Sequence, residues 1–317
     1  MNVVQQPRNF PIIGFVILSH GAQAQLERLI QVLDDEYDSP PIACHHDFGQ
    51  APLDTSVFGK NVAFVRPHFR TSWARFSVVE AELAALQLLY ERTPDWFVLL
   101  SASDYPITAG TDVRKQLAVT EFDVFLDARP VKGSSTPSCS TSCEPNPKLG
   151  HFDSVANHRI TRLFYTSIEI WIPIIRFRPK LRLGRYTYRP GWKVRKVYDD
   201  WPCFYGDHWF CGNSKTAKVL LAPTSKHLLL RRHLRHRTHT DETYFHTVIM
   251  NEAGLKVCRD NKRFAEWNGG GAHPMFLGPE QVDEMLASGA FFARKFEHDS
   301  PVLDQIDSAL ESGSIDR

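Results

Sequence analysis

The chain has too few cysteines for a disulfide scaffold. Only six of its 317 residues are cysteine, whereas small disulfide-stapled domains are far richer in this residue. Several of the six lie in apolar, strand-like surroundings, so we expect buried free thiols. Cys139 and Cys143 form a C-x-x-x-C pair with no second pair at zinc spacing, which argues against a zinc site there.

A long hydrophobic run near the start is also missing. The first apolar segment, residues 12–19, has eight residues with Gly14 among them, which is too short to cross a bilayer. It has neither a preceding basic stretch nor a small-residue cleavage site. We therefore expect a protein that is made and kept in the cytoplasm.

The overall charge excludes little, but its distribution is uneven. With 37 Lys and Arg against 36 Asp and Glu, the net charge is +1, so nothing global attracts nucleic acid. Between Arg176 and Lys196, however, nine residues are Lys or Arg and none is acidic. A solvated basic face, an anionic membrane, an anionic sugar-nucleotide or glycan, and RNA all explain such a run.

Hydrophobic patterning predicts alternating strands and helices up to residue 127. The predicted buried strands are residues 12–18, 41–44, 61–65, 96–100 and 122–126. The predicted helices are residues 22–33, a long helix capped by Ser72 or Ser77 that ends at 91, and 112–117. This alternation predicts an α/β fold with a doubly wound, mostly parallel central sheet flanked by helices. We expect a single large domain over residues 10–310.

Beyond residue 127 the pattern becomes less regular. Residues 128–157 are rich in Ser, Pro and Gly and predict a long surface loop. The elements predicted after it are a strand at 205–211, a helix at 214–221 capped by Ser214, a helix led by Thr240, a strand at 264–267, a helix at 279–286, a strand at 291–296 and a closing helix. Asp241 and Glu242 fall in the first turn behind Thr240, where capping chemistry alone would explain both acids.

Polar residues gather where the predicted strands end. In open α/β sheets ligands bind beyond the carboxyl ends of the strands. The residues at these positions are Ser19 and His20 after the first strand, His45 and Asp47 after the second, and Ser103 and Asp104 after residues 96–100. The plainer interpretation of Asp104 is a strand followed by an Asp-capped turn.

An ordered series of short motifs carries a family resemblance. The series is IGFVILSH, HHD, WARFS, FVLLSASDYPI, YGDHWF, DETYF, and a late HP followed by FFARKF. In this order, from Ile12 to Asp307, it resembles the core-2/I-branching glycosyltransferases of family 14. Peptide O-xylosyltransferases and plant β-glucuronosyltransferases are relatives within that family. The resemblance implies a GT-A-like fold with a nucleotide-binding half at 10–127 and an acceptor and catalytic half at 158–310.

The resemblance also implies a mechanism: inverting, metal-independent transfer from a UDP-sugar to a glycan hydroxyl. The chain shows no Asp-x-Asp near its strand ends, so no metal cofactor is expected and basic side chains would meet the diphosphate. Lys295 is the first candidate, and Arg294 and His273 are weaker ones. Without the resemblance, Arg294 and Lys295 would be a basic pair on a strand edge. Glu242 matches the family's catalytic base, and Asp241 would position it or cap its helix.

Other matched positions imply contacts with the donor or the acceptor. Asp47 and His45 match the acid and histidine that lie close to the uridine, with Ser19 and His20 lining the same crevice. Trp73 and Ser77 match W-x-x-x-S in the donor pocket, although Trp73 could instead be a core residue. Ser103 and Asp104 would meet the donor sugar, and Trp209 and Trp267 would stack on the acceptor.

The sequence thus predicts a glycosyltransferase whose donor sugar stays open. N-acetylglucosamine is the family's most typical donor sugar, and xylose and glucuronic acid are the alternatives. The expected partners are a UDP-sugar, a glycan acceptor and an anionic membrane touched through Arg176 to Lys196, with no nucleic acid. The competing hypothesis is a non-catalytic nucleotide-sugar or glycan-binding protein, in which Glu242 would be sequestered as a cap or salt bridge.

Overall fold

A computed structural model describes residues 10–130, 140–141, 181–183, 186–188, 201–235, 237, 239–267 and 273–315. Most of the predicted 128–157 loop lies outside the described residues. So does most of the Arg176 to Lys196 run, with the membrane contact predicted for it.

Strands and helices alternate through the first half, as the patterning predicts. The strands are β1 (Ile13–Ser19), β2 (Ile42–His46), β3 (Val62–Phe64), β4 (Trp96–Ser101), β5 (Asp104–Pro106), β6 (Val124–Phe125), β7 (Arg129–Pro130), β8 (Ser140–Thr141), β9 (Leu181–Leu183), β10 (Tyr186–Tyr188), β11 (Phe204–Tyr205), β12 (Cys211–Asn213), β13 (Lys256–Cys258), β14 (Arg263–Ala265) and β15 (Phe292–Arg294). The helices are α1 (Gln23–Tyr37), α2 (Phe76–Leu89), α3 (Gly110–Val119), α4 (Ser214–Leu221), α5 (Ser225–Leu234), α6 (Asp241–Met250), α7 (Val282–Leu286) and α8 (Val302–Ile315). Short 3-10 helices cover Thr55–Val57, Tyr90–Arg92 and Pro279–Gln281.

The largest sheet within the described residues has eight strands in the order β3-β2-β1-β4-β12-β6-β13-β8. Strand β1 runs parallel to both β2 and β4, and only β12 runs antiparallel to its neighbours in this sheet. A smaller sheet, β14-β15-β5, places β15 antiparallel to β5. The prediction of a mostly parallel α/β sheet flanked by helices, as in a GT-A-like fold, is confirmed.

The central strands bury both of their faces. Phe15 and Ile17 of β1 pack with α1 and α8 in one core cluster, whereas Val16 packs in a second cluster with α2 and α6. Val98 and Leu99 of β4 divide in the same way between the two clusters. An unalternating apolar run is therefore the expected sequence for each of these strands.

Three local predictions need correction. The predicted strand 205–211 is two strands, β11 and β12, which belong to different sheets and are joined by residues 206–210. Helix α2 begins at Phe76 with Arg75 at its N-cap, so neither Ser72 nor Ser77 caps it; the Ser77 hydroxyl instead accepts the Ser72 N–H at 3.2 Å. Asn213, not Ser214, caps α4, since its Oδ1 accepts two backbone N–H groups.

The cysteines are not all free thiols. Cys44, Cys203 and Cys211 are free and buried, as predicted, but Cys258 is disulfide-bonded. Disulfides are rare in cytosolic proteins, so this bond argues against the cytoplasmic location that we expected. Among the described residues, no helix has both the length and the apolar character needed to cross a membrane.

Candidate active site

The carboxyl end of β2 leads into a loop built around one buried carboxylate. Asp47 is fully buried, and its Oδ2 accepts hydrogen bonds from the Gln50 side chain (2.7 Å), the Thr71 N–H (2.7 Å) and the Thr71 hydroxyl (2.9 Å). Its Oδ1 accepts the Gly49 N–H at 3.1 Å. Burial opposes ionisation, but these donors hold the pKa of Asp47 well below its usual range. Asp47 is therefore a fixed anion that organises two loop segments.

The histidines beside Asp47 are held in the neutral form. His45 is buried, and its Nε2 accepts the Phe69 N–H at 2.9 Å; burial lowers its pKa to about 4. His46 Nδ1 lies 3.1 Å from the Ser19 hydroxyl. The predicted residues Ser19, His45 and Asp47 therefore lie together at the ends of β1 and β2, whereas His20 is exposed.

A second carboxylate, Asp104, lies at the end of β4. It is 1% exposed and accepts hydrogen bonds from both the N–H (2.9 Å) and the hydroxyl (2.8 Å) of Ser101. The predicted Asp-capped turn is therefore present. Arg294 from β15 adds an ion pair, its Nε lying 3.2 Å from Asp104 Oδ1. Ser103 is tied to the segment after β15, because its carbonyl accepts the Phe296 N–H at 3.0 Å.

Trp209 supports Arg294. The guanidinium carbon of Arg294 lies 4.4 Å from the centroid of the Trp209 ring, which is a favourable cation–π distance. The indole is only 7% exposed. Arg294 covers the Trp209 ring, and the stacking of Trp209 on an acceptor sugar stays a prediction.

Glu242 lies in the first turn of α6, as predicted. Thr240 occupies the N-cap position, but its side chain makes no capping hydrogen bond, so the helix start does not depend on it. Glu242 is half-buried and forms no salt bridge or side-chain hydrogen bond with any residue that the structure describes. Burial, and then the neighbouring Asp241, raise the pKa of Glu242 to about 8.

Residues 206–210 carry two further titratable side chains, Asp207 and His208, that interact electrostatically with Glu242. A Cβ on Gly206 would lie 1.9 Å from the carbonyl oxygen of Asp127, so only glycine fits there. The chain then presents Asp207, which accepts the Asn261 side chain at 2.7 Å, and His208. Burial raises the pKa of Asp207, and Arg294 opposes this rise most strongly.

Lys295 and residues 273–276 form the outer part of the site. The Lys295 Nζ lies 4.9 Å from the centroid of the Phe276 ring, and Lys295 pairs with no acidic side chain of the described chain. Burial and the adjacent Arg294 lower its pKa. His273 is exposed. Its pKa is lowered first by the burial of part of the ring and second by the positive charge of Lys295.

Trp73 connects this outer segment to the start of α6. Its ring meets His239 at 5.5 Å and His273 at 5.4 Å, both edge-on, and the His239 N–H donates to the Ala74 carbonyl at 2.7 Å. Trp73 is 59% exposed, so the alternative of a core residue is wrong.

The structure therefore joins several of the predicted residues by electrostatic contacts. The charge of Asp207 affects the pKa of Glu242. Arg294 and Asp104 affect the pKa of Asp207, and the same two residues affect the pKa of Lys295. Glu242 and Lys295 thus belong to one charge cluster. The predicted roles of Ser77 and Trp267 stay predictions.

Several charged members of this cluster were not predicted from the sequence. They are Glu82 on α2, Asp207 and His208 in the 206–210 segment, and Arg263 on β14, all buried. The Arg263 guanidinium donates to the Leu99 carbonyl at 3.1 Å and stacks on Phe292. One signal was visible for Glu82, which shares a helical face with the buried Val79 and Leu86. Within the described part of the chain, no group of three or more His, Cys, Asp or Glu side chains is placed to hold a metal ion.

Comparison with known proteins gives a consistent family. Beta-glucuronosyltransferase GlcAT14B of Arabidopsis thaliana is 44% identical to this chain over 220 residues, and Beta-glucuronosyltransferase GlcAT14A of the same plant is 40% identical over 220 residues. Each alignment covers 68% of this chain but only 44% and 42% of the respective relative, so the chain spans less than half of their length.

The family match covers most of the residues that form the charge cluster. The core-2/I-branching enzyme profile matches residues 13–129 and 177–288, which contain Asp104, His208 and Glu242 of this cluster and, apart from it, Asp47. It ends before Arg294 and Lys295. Because these two stretches make up well over half of the sequence, the chain belongs to the core-2/I-branching enzyme family.

Proposed function

We propose that this chain is an inverting glycosyltransferase in which Glu242 is the catalytic base. The observation that carries the proposal is the position of Glu242: half-buried in the first turn of α6, without a salt bridge to any described residue, and in one charge cluster with Asp104, Arg294 and Lys295. A non-catalytic binding protein was expected to sequester Glu242 in a cap or salt bridge, and neither is found among the described residues.

The reaction needs one proton acceptor. As the acceptor hydroxyl attacks the anomeric carbon, a new C–O bond forms and the bond to the diphosphate breaks with its electron pair. Ionised Glu242 takes the hydroxyl proton, which contributes about 10²–10⁴-fold in rate when such a base is well placed. A rigid first helical turn holds the carboxylate in position for this step.

The negative charge that develops on the departing UDP is met by basic side chains. Lys295 is the first candidate, because it has no carboxylate partner among the described residues. Arg294 is already paired with Asp104 and stacked on Trp209, so we assign it to the support of the site and to longer-range stabilisation of the diphosphate. On this basis we propose transfer without a metal ion.

For the donor we propose UDP-glucuronate. Both relatives described above are named as glucuronosyltransferases, which favours glucuronic acid over the N-acetylglucosamine that the sequence first suggested. UDP-xylose and UDP-N-acetylglucosamine are the competing donors.

The test is UDP release measured with each of the three UDP-sugars, with EDTA present throughout. We expect UDP-glucuronate to be used best, Glu242→Gln to lose about 10²–10⁴-fold in rate, and Lys295→Met to weaken binding of UDP. Lys60→Met, a change of an exposed lysine, is the matched control and should behave as wild type. Loss of activity in EDTA would contradict the metal-free proposal, and an unimpaired Glu242→Gln would remove that residue from the base role.

A further inference from the structure

His208 connects helix α2 to the first turn of α6 through its two ring nitrogens. Its Nε2 is hydrogen-bonded to Glu82 Oε1, and its Nδ1 lies 3.8 Å from Asp241 Oδ2. His208 is 8% exposed and Glu82 is 2% exposed. The two nitrogens therefore face carboxylates on different helices, and water screens neither contact well.

The surroundings of His208 are strongly acidic. Glu82 faces it from α2, Asp241 and Glu242 from α6, and Asp207 from its own segment. Burial opposes a charge on the ring, but Glu82, followed by the two aspartates, raises the pKa of His208 to about 9.

His246 on α6 is the other histidine in electrostatic contact with His208. It contributes no competing positive charge, because its Nε2 is tied to the Asp207 carbonyl at 2.9 Å and burial lowers its pKa to about 3. His208 is thus the cation that faces the carboxylates of α6.

We propose that His208, held as an imidazolium by Glu82, is a positioning residue that sets the charge state of Glu242 and thereby the pH range in which Glu242 accepts a proton. This inference rests on the proposed function.

The orientation of the Glu82–His208 ion pair explains this effect on Glu242. Glu82 binds the nitrogen that faces α2, so the positive end of the pair faces Asp241, the residue next to Glu242 in the first turn of α6. A cation near a buried carboxylate favours its ionised form, and His208 is the group that opposes the rise in the pKa of Glu242. Without this cation, Glu242 would keep its proton to higher pH and would be a base in a smaller fraction of molecules.

The experiment compares His208→Gln with the double variant Glu82→Gln/His208→Gln. The single variant leaves Glu82 buried without its cation, whereas the double variant replaces the ion pair by two amides that can bond to each other. We expect the single variant to lose thermal stability and the double variant to regain much of it. In both variants, the rise of UDP release with pH, near pH 8 in the wild type, should shift upward by about one pH unit or more.

A control contact lies at the C-terminal end of α6, the helix that carries Glu242. His227 is buried and its Nε2 lies 3.3 Å from Glu252 Oε1, just beyond the C-terminal end of α6. His227→Gln therefore removes a buried His–Glu contact about 15 Å along α6 from Glu242, in which burial lowers the pKa of the histidine instead of leaving it raised as at His208. We expect it to alter stability without shifting the pH profile.

A second readout is independent of transferase activity. Infrared difference spectra recorded against pH report the C=O stretch of a protonated carboxyl group, and Glu242→Gln identifies the band from Glu242. We expect this band to persist to higher pH in both His208 variants. If the double variant shows the wild-type band and the wild-type pH profile, His208 is only structural and the proposal is overturned. If the band shifts while every UDP-sugar is inert, the proposed function fails and the charge coupling stands.

Discussion

Two carboxylates of this site, Asp47 and Glu242, show opposite electrostatics. Asp47 is completely buried and yet strongly acidic, because N–H and O–H donors from Gly49, Gln50 and Thr71 compensate its burial. Glu242 is partly exposed, but no described side chain donates a hydrogen bond to it, and burial first and the neighbouring Asp241 second raise its pKa to about 8. Burial disfavours the charge on both carboxylates, and the hydrogen-bond donors around Asp47 are what keep that group ionised.

The contrast separates a fixed region from an adjustable one. The loop around Asp47 is ordered by a permanent anion. The first turn of α6 holds a carboxylate that exchanges its proton near neutral pH, which is what a general base requires. The following predictions test that separation, from the largest expected effect to the smallest.

Gly206→Ala should have the largest effect, because it displaces the 206–210 segment beside the first turn of α6. The new Cβ would lie 1.9 Å from the Asp127 carbonyl oxygen and 3.0 Å from the His246 ring, so the segment that carries Asp207 and His208 must shift. We expect a loss of about 3 kcal/mol or more in the free energy of unfolding, measured by urea denaturation.

Gly254→Ala is the control for that change. Nothing lies within 4 Å of a Cβ at this position, so we expect a change of about 0.5 kcal/mol or less. Equal effects at the two glycines would show that the close approach at Gly206 is not what holds the segment.

Asp47→Asn should destabilise the fixed region. Its Oδ2 accepts three hydrogen bonds, and an amide cannot accept equally at both positions. We expect a loss of about 1–3 kcal/mol at pH 7. Because the folded-state pKa of Asp47 is depressed, its charge stabilises the fold above the unfolded value of about 3.9 and less as the pH falls below it.

The measurement is urea unfolding of Asp47→Asn and wild type from pH 7 down to pH 3. The difference in unfolding free energy should be full at pH 7 and should shrink below about pH 4. A difference that stays constant across this range would contradict the assignment of Asp47 as a charged organiser.

Glu242→Gln should show the reverse pH dependence of stability. The folded state holds the Glu242 proton more tightly than the unfolded chain, so between about pH 4.5 and pH 8 wild-type stability falls as pH rises. A glutamine never ionises. We expect the variant to match wild type at pH 4 and to be more stable by on the order of 1 kcal/mol at pH 8, since partial exposure reduces the effect. Thermal unfolding against pH measures this, and a pH-independent difference would contradict it.

Much of this architecture could be predicted from the sequence, because it depends on local patterns. The apolar run at 96–100 predicts the central strand, and the match of DETYF to the family's motif is what singled out Glu242. The 206–210 segment was predicted as part of a strand because its aromatic residues suit one, and the backbone contact that requires Gly206 is made with Asp127, far away in the chain.

The Glu82–His208 contact could not be predicted for a similar reason. The two residues are 126 positions apart, and only the packing of α2 against the sheet brings them together. An acid on the buried face of α2 indicates that some partner exists, but not which one. The roles of Asp47 and Trp209 likewise depended on groups that approach from other segments.

A small effect, comparable with that of Glu242→Gln, is expected for Thr71→Val. It removes the hydroxyl that donates to Asp47 Oδ2 at 2.9 Å and accepts from Gln50 at 3.1 Å, but it keeps the Thr71 N–H, which donates at 2.7 Å. We expect a loss of about 1 kcal/mol in unfolding free energy and a pKa of Asp47 closer to its usual range. In the Asp47→Asn background the same change should cost less, because the carboxylate that the hydroxyl served is gone. Additive losses in that double-mutant cycle would mean that Thr71 stabilises the loop without acting through Asp47.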